Sequence, residues 1–218
     1  APALICRAAP AAFQDEWLPK IASGEAVVVL AHADARGAAV IEVDGRLSGR
    51  KAVVSHGACA DLLLVSARNA NGATGLYAVT PGTDGVDLRD YPTLDGQRAA
   101  EIVLNGAPGQ KVGAGDTADA IDAALDIGLA TLCAEAVGIM EATVAATTDY
   151  LKTRQQFGQP IGRFQALQHR MADMLLHQEQ ARSMSYLAAM HCTSTDKAAR
   201  RRGRDRKSTR LNSSHEDL

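Results

Sequence analysis

The feature that most constrains the fold is an abrupt change in the spacing of apolar residues near Asp116-Thr117. Before it, short valine- and leucine-rich runs alternate with turn pairs such as Asp44-Gly45 and Asn71-Gly72, which predicts strands joined by tight hairpins. After it, apolar residues recur at helical spacing as far as Met190, interrupted by one proline, Pro160. The sequence therefore predicts an α+β protein, with a strand-rich part followed by a helical part.

Several segments within these two parts have clear boundaries. Strand-length apolar runs occur at 26–31, 61–67 and 75–80, and residues 41–47 form two short arms around Asp44-Gly45. This pattern predicts an antiparallel sheet pair or a small barrel. Helices are predicted at 11–22, at about 117–153 and at about 164–192.

The composition indicates a globular protein without general affinity for nucleic acid or membrane. The net charge is -2, and 46% of the residues are hydrophobic. We find no secretory signal and no apolar run that we expect to span a bilayer, so we predict a cytoplasmic location. The four cysteines are widely scattered with no metal-type spacing, which predicts reduced thiols and no metal site.

The last segment, RRRGRDRKSTRLNSSHEDL (200–218), follows neither apolar period and is basic and serine-rich. It is typical either of a disordered nucleic-acid-binding arm or of a foreign tail that does not belong to the natural protein. We expect residues 200–218 to pack against nothing, and we treat 204–218 as a non-native, disordered tail.

A long motif in the helical part resembles a known family. YLKTRQQFGQPIGRFQALQHRMADM (150–174) contains an arginine, Phe-Gly, Pro-Ile, Phe-Gln and Ala-Asp-Met in the order of the acyl-CoA dehydrogenase signature. LPKIASGE (18–25) is similar to the family's junction between N-terminal helices and β-domain, and the resemblance covers roughly residues 11–202. RDYPTLDGQRAAEI (89–102) and LCAEAVGIM (132–140) are most similar to the small subunit of pimeloyl-CoA dehydrogenase.

The resemblance implies an architecture for the chain as an internal fragment. Residues 1–22 would end an N-terminal helical domain, 23–115 would form a central antiparallel β-domain, and 116–203 would begin a truncated C-terminal helical bundle. Flavin adenine dinucleotide (FAD) would lie between the β-domain and these helices, and the helices would also form the interface of a homo- or hetero-oligomer.

The resemblance also implies which residues contact the flavin. Arg154 and Gln165 match the family's contacts to the flavin of a neighbouring subunit, and Gln156 and Phe157 lie in the same turn, although Phe157 is equally suited to plain packing. In KAVVSHG (51–57), Ser55 falls on the hydroxyl that bonds near flavin N5.

Other matching positions depart from the family pattern. Val53 replaces an aromatic residue and His56 replaces an asparagine. Ala33 replaces a threonine. Of the family pattern in that loop, only the acidic side chain is kept, at Asp34. No catalytic base is identified, because one family position for it aligns with Gly128 and the other lies beyond the chain.

The neighbouring carboxylates Asp126 and Glu135 are interpreted as charges on the surface of the first long helix. The implied function of the full-length protein is flavin-dependent α,β-dehydrogenation of an acyl-CoA thioester, possibly a dicarboxylyl-CoA. This chain alone is expected to be inactive, and electron-transfer flavoprotein is the expected partner. The alternatives are a non-catalytic subunit of a heteromeric acyl-CoA dehydrogenase and a nucleic-acid-binding protein acting through the basic tail.

Overall fold

A computed structural model of the chain describes residues 1–203. They belong to two compact units, Ala1–Ala124 and a helical unit that begins at Leu125. The tail predicted for 204–218 lies outside the described residues.

The first unit begins with two helices, α1 (Pro2–Ala8) and α2 (Ala11–Ser23). The sequence predicted α2 but missed α1, a seven-residue helix that buries Leu4 and Ile5 completely. α2 ends where glycine supplies a left-handed residue, because Gly24 has φ 80°. The predicted helix at 11–22 is therefore confirmed, with one more residue at its end.

The described strands of this unit form one eight-stranded sheet. Its strands are β1 (Val28–Ala31), β2 (Ile41–Val43), β3 (Arg46–Ser55), β4 (Leu62–Arg68), β5 (Thr74–Val79), β6 (Val86–Pro92), β7 (Arg98–Pro108) and β8 (Gln110–Val112). They are hydrogen-bonded in the order β6-β7-β3-β2-β4-β5-β8, with β1 also beside β4. Most neighbours are antiparallel as predicted, but β1 and β2 each run parallel to β4. The strands thus share one continuous ladder instead of forming two separate sheets.

The tight turn between β2 and β3 is the one that the sequence predicted. Asp44 and Gly45 have φ values of 52° and 76°, and this left-handed pair matches the right-handed twist of the flanking strands. The Glu42 carboxylate accepts a hydrogen bond from the N–H of Gly45 at 2.7 Å, which closes the turn. The hairpin at Asp44-Gly45 is therefore confirmed.

The core of the first unit includes both faces of the central strands β4 and β5, since consecutive residues of each strand are buried. One cluster of it is built mainly from β-branched and leucine side chains that are almost entirely removed from water: Val40, Leu47, Val54, Leu63, Val65, Tyr77, Val79, Ile102 and Leu104. The packed central strands therefore fix the positions at which the loops begin and end.

The helical part contains α3 (Ala118–Thr153) and α4 (Gln165–Cys192), joined by a short hairpin of β9 (Gln155–Gln156) and β10 (Gln159–Pro160). Both long helices lie within a residue of their predicted bounds. The Arg182 side chain of α4 forms ion pairs with Glu141 of α3 and with Glu179 of its own helix.

One described helix, α3, is long and apolar enough to cross a membrane, by length and composition only. The expectation that no segment reaches this length was therefore wrong for α3. The core helix of a soluble protein can have the same length and composition.

Asp126 of α3 is buried rather than on the helix surface. Its Oδ2 accepts a hydrogen bond from Nε of Arg200 at 3.3 Å, and the two side chains are 5% and 7% exposed. The Arg200 guanidinium also donates to the carbonyl oxygen of Ser194 at 2.9 Å. Two sequence-based predictions are thus wrong, since Asp126 is not a surface charge and Arg200 does not lack packing partners. A helical turn at 197–203 carries the arginine into the fold.

We predict that Arg200→Ala lowers the free energy of unfolding by about 3 kcal/mol, because it removes the arginine from a buried ion pair with the Asp126 carboxylate. Arg202→Ala is the matched control, since Arg202 pairs with Asp196 at 3.8 Å on the surface and should contribute under about 0.5 kcal/mol. Urea unfolding followed by circular dichroism measures both. Equal, small effects of the two variants would contradict the role assigned to Arg200.

Candidate functional site

In the first unit, the candidate site lies where the loop after β1 runs beside β3. Residues 32–35 pair with β3 through two backbone hydrogen bonds, from the N–H of Ala52 to the oxygen of Ala33 at 2.9 Å and from the N–H of Ala35 to the oxygen of Arg50 at 2.8 Å. Ala33 therefore lies next to the segment that carries Ser55. The structure brings these two predicted flavin contacts onto adjacent pieces of backbone.

A β-bulge shapes β3 at this point. Lys51 pairs with Ile102 and Val54 pairs with Ala100, so two residues of β3 lie opposite a single residue of β7. In a regular strand, residues three apart such as Lys51 and Val54 face opposite sides of the sheet, whereas here both are buried because of the extra residue. The bulge thereby turns Val53 and Ser55 outward, with the Val53 side chain 62% exposed.

Val53 has a strained backbone. Its φ of 50° is in the left-handed region, which is a genuine outlier for a β-branched residue. Such strain typically costs about 1–3 kcal/mol and concentrates at functional sites. Because Val53 stands where the resembling family has an aromatic residue against the flavin, the strain occurs at the predicted site. The sequence did not reveal it, since valine normally favours regular strands.

An open groove of about 650 Å³ lies against the outward face of the bulge. It is lined by side chains of β3 and of the β6–β7 turn, namely Val53, Ser55, His56, Thr93, Leu94, Asp95, Gln97 and Arg98. The Thr93 hydroxyl donates to the Asp95 carboxylate at 2.5 Å and lowers the pKa of Asp95, with a further contribution from the N–H of Gln97. Ser55 belongs to this groove, whereas Ala33 is not among its lining residues.

Beneath the loop and the bulge lies a polar cluster that the sequence analysis did not assign to the site. The Lys51 ammonium is 1% exposed and contacts His32, Asp34 and Ser66. Burial lowers the pKa of Lys51, against the opposing effect of the Asp34 carboxylate. No local sequence signal indicated this burial, since Lys51 lies between Arg50 and Ala52.

In the helical unit, the four predicted contacts lie on the connection between α3 and α4. Arg154 follows the last residue of α3, Gln156 belongs to β9, Phe157 occupies the turn, and Gln165 begins α4. The N–H of Ile161 donates to the oxygen of Arg154 at 2.9 Å, which closes this connection. The side chains of Arg154, Gln156 and Gln165 are exposed. The structure thus groups these polar side chains on one short segment.

Phe157 is not the packing residue that was offered as an alternative. It is 91% exposed, has φ 54° and touches Phe164 edge-to-face with the ring centroids 6.0 Å apart. An exposed aromatic ring held in a turn is suited to contact a ligand or another chain.

The position considered for a catalytic base carries no functional group. Gly128 is exposed on α3 with open space around it. The nearest acidic residue toward the N-terminus of the helix, Asp126, is bound to Arg200 and is therefore not available as a base. Among residues 1–203, we find no group of three or more metal-ligating side chains that could hold a metal ion.

The order of elements, a strand-rich unit followed in the chain by two long helices, matches solved structures of acyl-CoA dehydrogenase-like fold. Residues 118–205 match the family model described as "Acyl-CoA dehydrogenase, C-terminal domain". The chain is 33% identical over 168 residues to acyl-CoA dehydrogenase FadE27 of Mycobacterium tuberculosis, covering 73% of this chain and 44% of the relative. These matches support the acyl-CoA dehydrogenase family for this chain.

Comparison with solved structures supports the same fold. The Tcur3481-Tcur3483 steroid ACAD G363A variant superimposes with a TM-score of 0.78 at 28% identity, over 91% of this chain and 56% of that one. A glutaryl-CoA dehydrogenase from Mycobacterium smegmatis in complex with FADH2 gives a TM-score of 0.82 at 18% identity, over 93% and 57%, which supports the fold alone. The chain spans about half the length of the curated relatives it matches. Similarity to the small subunit of pimeloyl-CoA dehydrogenase stays a prediction.

We predict that Val53→Asn raises the free energy of unfolding by about 1 kcal/mol, because asparagine adopts left-handed backbone at lower cost than valine. Little burial is lost, since Val53 is 62% exposed. Ala52→Asn on the neighbouring residue, whose φ is not positive, is the control and should give no gain. Urea unfolding compares the two, and a Val53→Asn chain less stable than wild type would contradict the strain.

Proposed function

We propose that the full-length protein catalyses flavin-dependent α,β-dehydrogenation of an acyl-CoA thioester. The observation that carries the proposal is the grouping of Arg154, Gln156 and Gln165 on the exposed connection of the helical unit. These are the positions that the family motif assigns to flavin contacts, and the family match covers the same residues. A cytoplasmic location is part of the proposal.

The side chains available on this chain fit FAD in part. Arg154 offers an always-charged guanidinium for the pyrophosphate, with Gln156 and Gln165 as neutral hydrogen-bonding groups nearby. Ser55 offers a hydroxyl at the groove of the β-domain. Ala33 offers only backbone groups, and Val53 offers a small apolar surface in place of an aromatic ring. When bound, FAD supplies the hydride acceptor for the reaction.

The proton abstraction has no base among the residues described. Gly128 cannot accept a proton, and the carboxylate of Asp126 is held by Arg200. We therefore propose that this chain binds flavin weakly and does not turn over acyl-CoA by itself. General acid–base catalysis typically contributes 10²–10⁴-fold, so its loss alone would be severe.

A second candidate is a non-catalytic partner subunit of a heteromeric acyl-CoA dehydrogenase. It is favoured by the three substitutions at predicted functional positions, Ala33, Val53 and Gly128. The name of the related Tcur3481-Tcur3483 steroid ACAD joins two components, which is compatible with such a role. The partners proposed in either case are an acyl-CoA substrate, a second subunit docking through the C-terminal helices, and electron-transfer flavoprotein as electron acceptor.

We predict that Arg154→Ala weakens FAD binding about tenfold or more, because it removes a charge-assisted hydrogen bond to the pyrophosphate. Arg163→Ala is the control, an exposed arginine on the same connection, and should bind within about twofold of wild type. Isothermal titration of the 218-residue chain with FAD measures both. Equal affinities for the two variants would remove Arg154 from the site.

Substrate class is tested by anaerobic bleaching of the bound flavin. The FAD-loaded chain is mixed with butyryl-CoA, isovaleryl-CoA, glutaryl-CoA and pimeloyl-CoA in separate experiments, and we expect no bleaching at an enzymatic rate. The same assay on the full-length protein is expected to show bleaching, with the two dicarboxylyl thioesters preferred. Rapid bleaching by the 218-residue chain would contradict the missing base, and no bleaching by the full-length protein would favour the non-catalytic subunit.

A further inference from the structure

The Lys51 side chain is one of the most deeply buried in the first unit, with 1% of it exposed. An ammonium group in such surroundings is costly unless all of its donors are used. Its Nζ lies 2.9 Å from the carbonyl oxygen of His32, 2.6 Å from Oδ1 of Asp34 and 3.0 Å from Oγ of Ser66. Three acceptors match the three donors of a lysine, so the charge is fully satisfied.

These acceptors come from two different elements. His32 and Asp34 belong to the loop after β1, and Ser66 belongs to β4. The Asp34 side chain is 39% exposed, and Ala33 beside it is exposed as well. The loop is held by the ammonium, by the hydrogen bond between Nδ1 of His32 and Oγ of Ser66, and by two backbone hydrogen bonds to β3, while Ala35 at its end is buried.

Lys51 is also the last residue of β3 in register before the bulge. The inward direction of its side chain and that of Val54 require the extra residue between them. The same lysine therefore fixes one end of the segment that turns Val53 and Ser55 outward. One buried group thus links the loop that carries Ala33 with the bulge that carries Ser55.

We propose that Lys51 is a positioning residue, which holds the loop 32–35 against the bulge of β3 so that the flavin contacts from both segments are presented together. This inference rests on the proposed function, because the group that these segments would receive is FAD. Asp34 acts together with Lys51, because among the described residues it supplies the only carboxylate that bonds the ammonium. Lys51 itself does not touch the flavin.

The electrostatics around Lys51 agree with this role. Desolvation lowers the pKa of Lys51, and the hydrogen bond and charge of Asp34 act in the opposite direction. Burial also lowers the pKa of His32, with the Lys51 charge as the next cause. The Oγ of Ser66 also lies 2.9 Å from Nδ1 of His32, so His32 belongs to the same hydrogen-bonded cluster.

The test is amide hydrogen exchange of the 218-residue chain, read at residues 32–35 and in β4 and β5. We expect Lys51→Met and Asp34→Asn each to reduce protection of 32–35 at least tenfold, while β4 and β5 keep theirs. Lys111→Met, an exposed lysine of β8, is the control and should leave the loop unchanged. If Lys51→Met fails to fold, Asp34→Asn still tests the proposal. It changes a partly exposed side chain, so this variant is expected to fold. Unchanged loop protection in Asp34→Asn overturns the proposal.

FAD binding separates a positioning role from a merely structural one. Lys51→Met and Asp34→Asn should weaken FAD binding at least fivefold and shift the absorbance bands of the bound flavin, whereas Lys111→Met should do neither. Wild-type affinity and spectrum in a variant with a loosened loop would overturn the positioning role. If the wild-type chain binds no FAD, the proposed function fails for this chain, and the exchange result alone decides whether Lys51 holds the loop.

Discussion

One buried ammonium group, that of Lys51 in β3, links the loop after β1 with β4. An apolar side chain at position 51 could be accommodated by any set of apolar neighbours, but a charged one requires acceptors at fixed distances and angles. The backbone oxygen of His32, the carboxylate of Asp34 and the hydroxyl of Ser66 meet that requirement. The path of the loop after β1 and the irregularity of β3 are both consistent with satisfying this single charge.

The sequence was a good guide where local rules decide the structure. The bounds of α3 and α4 follow from helical spacing, and the Asp44-Gly45 hairpin follows from the demand for two left-handed residues. The sequence was a poor guide where distant residues decide it. The burial of Asp126 depends on Arg200, which lies 74 residues later in an apparently hydrophilic segment. Nothing local to Asp126 distinguishes it from the surface carboxylates of the same helix.

The candidate site also contains some features that local sequence determines and others that distant residues determine. Arg154, Gln156 and Gln165 were predicted from a contiguous motif, and the structure groups them because they are close in sequence. The nearness of Ala33 to Ser55 depends instead on pairing between the loop and β3, which the motif alone could not supply. Lys51 belongs to the matching segment KAVVSHG, but its burial depends on a β-bulge. The residue types of this segment do not predict that bulge.

The ion pair between Asp126 and Arg200 has a practical consequence for shortening the gene. The arginine-rich end of the chain looks like a segment to delete, yet its first arginine neutralises a carboxylate inside the helical unit. A stop codon placed before codon 200 would remove this buried arginine from the carboxylate and would also remove Gly203, which lies next to Ala188 and His191 of α4. A shortened gene should therefore retain at least the codons for the helical turn at 197–203.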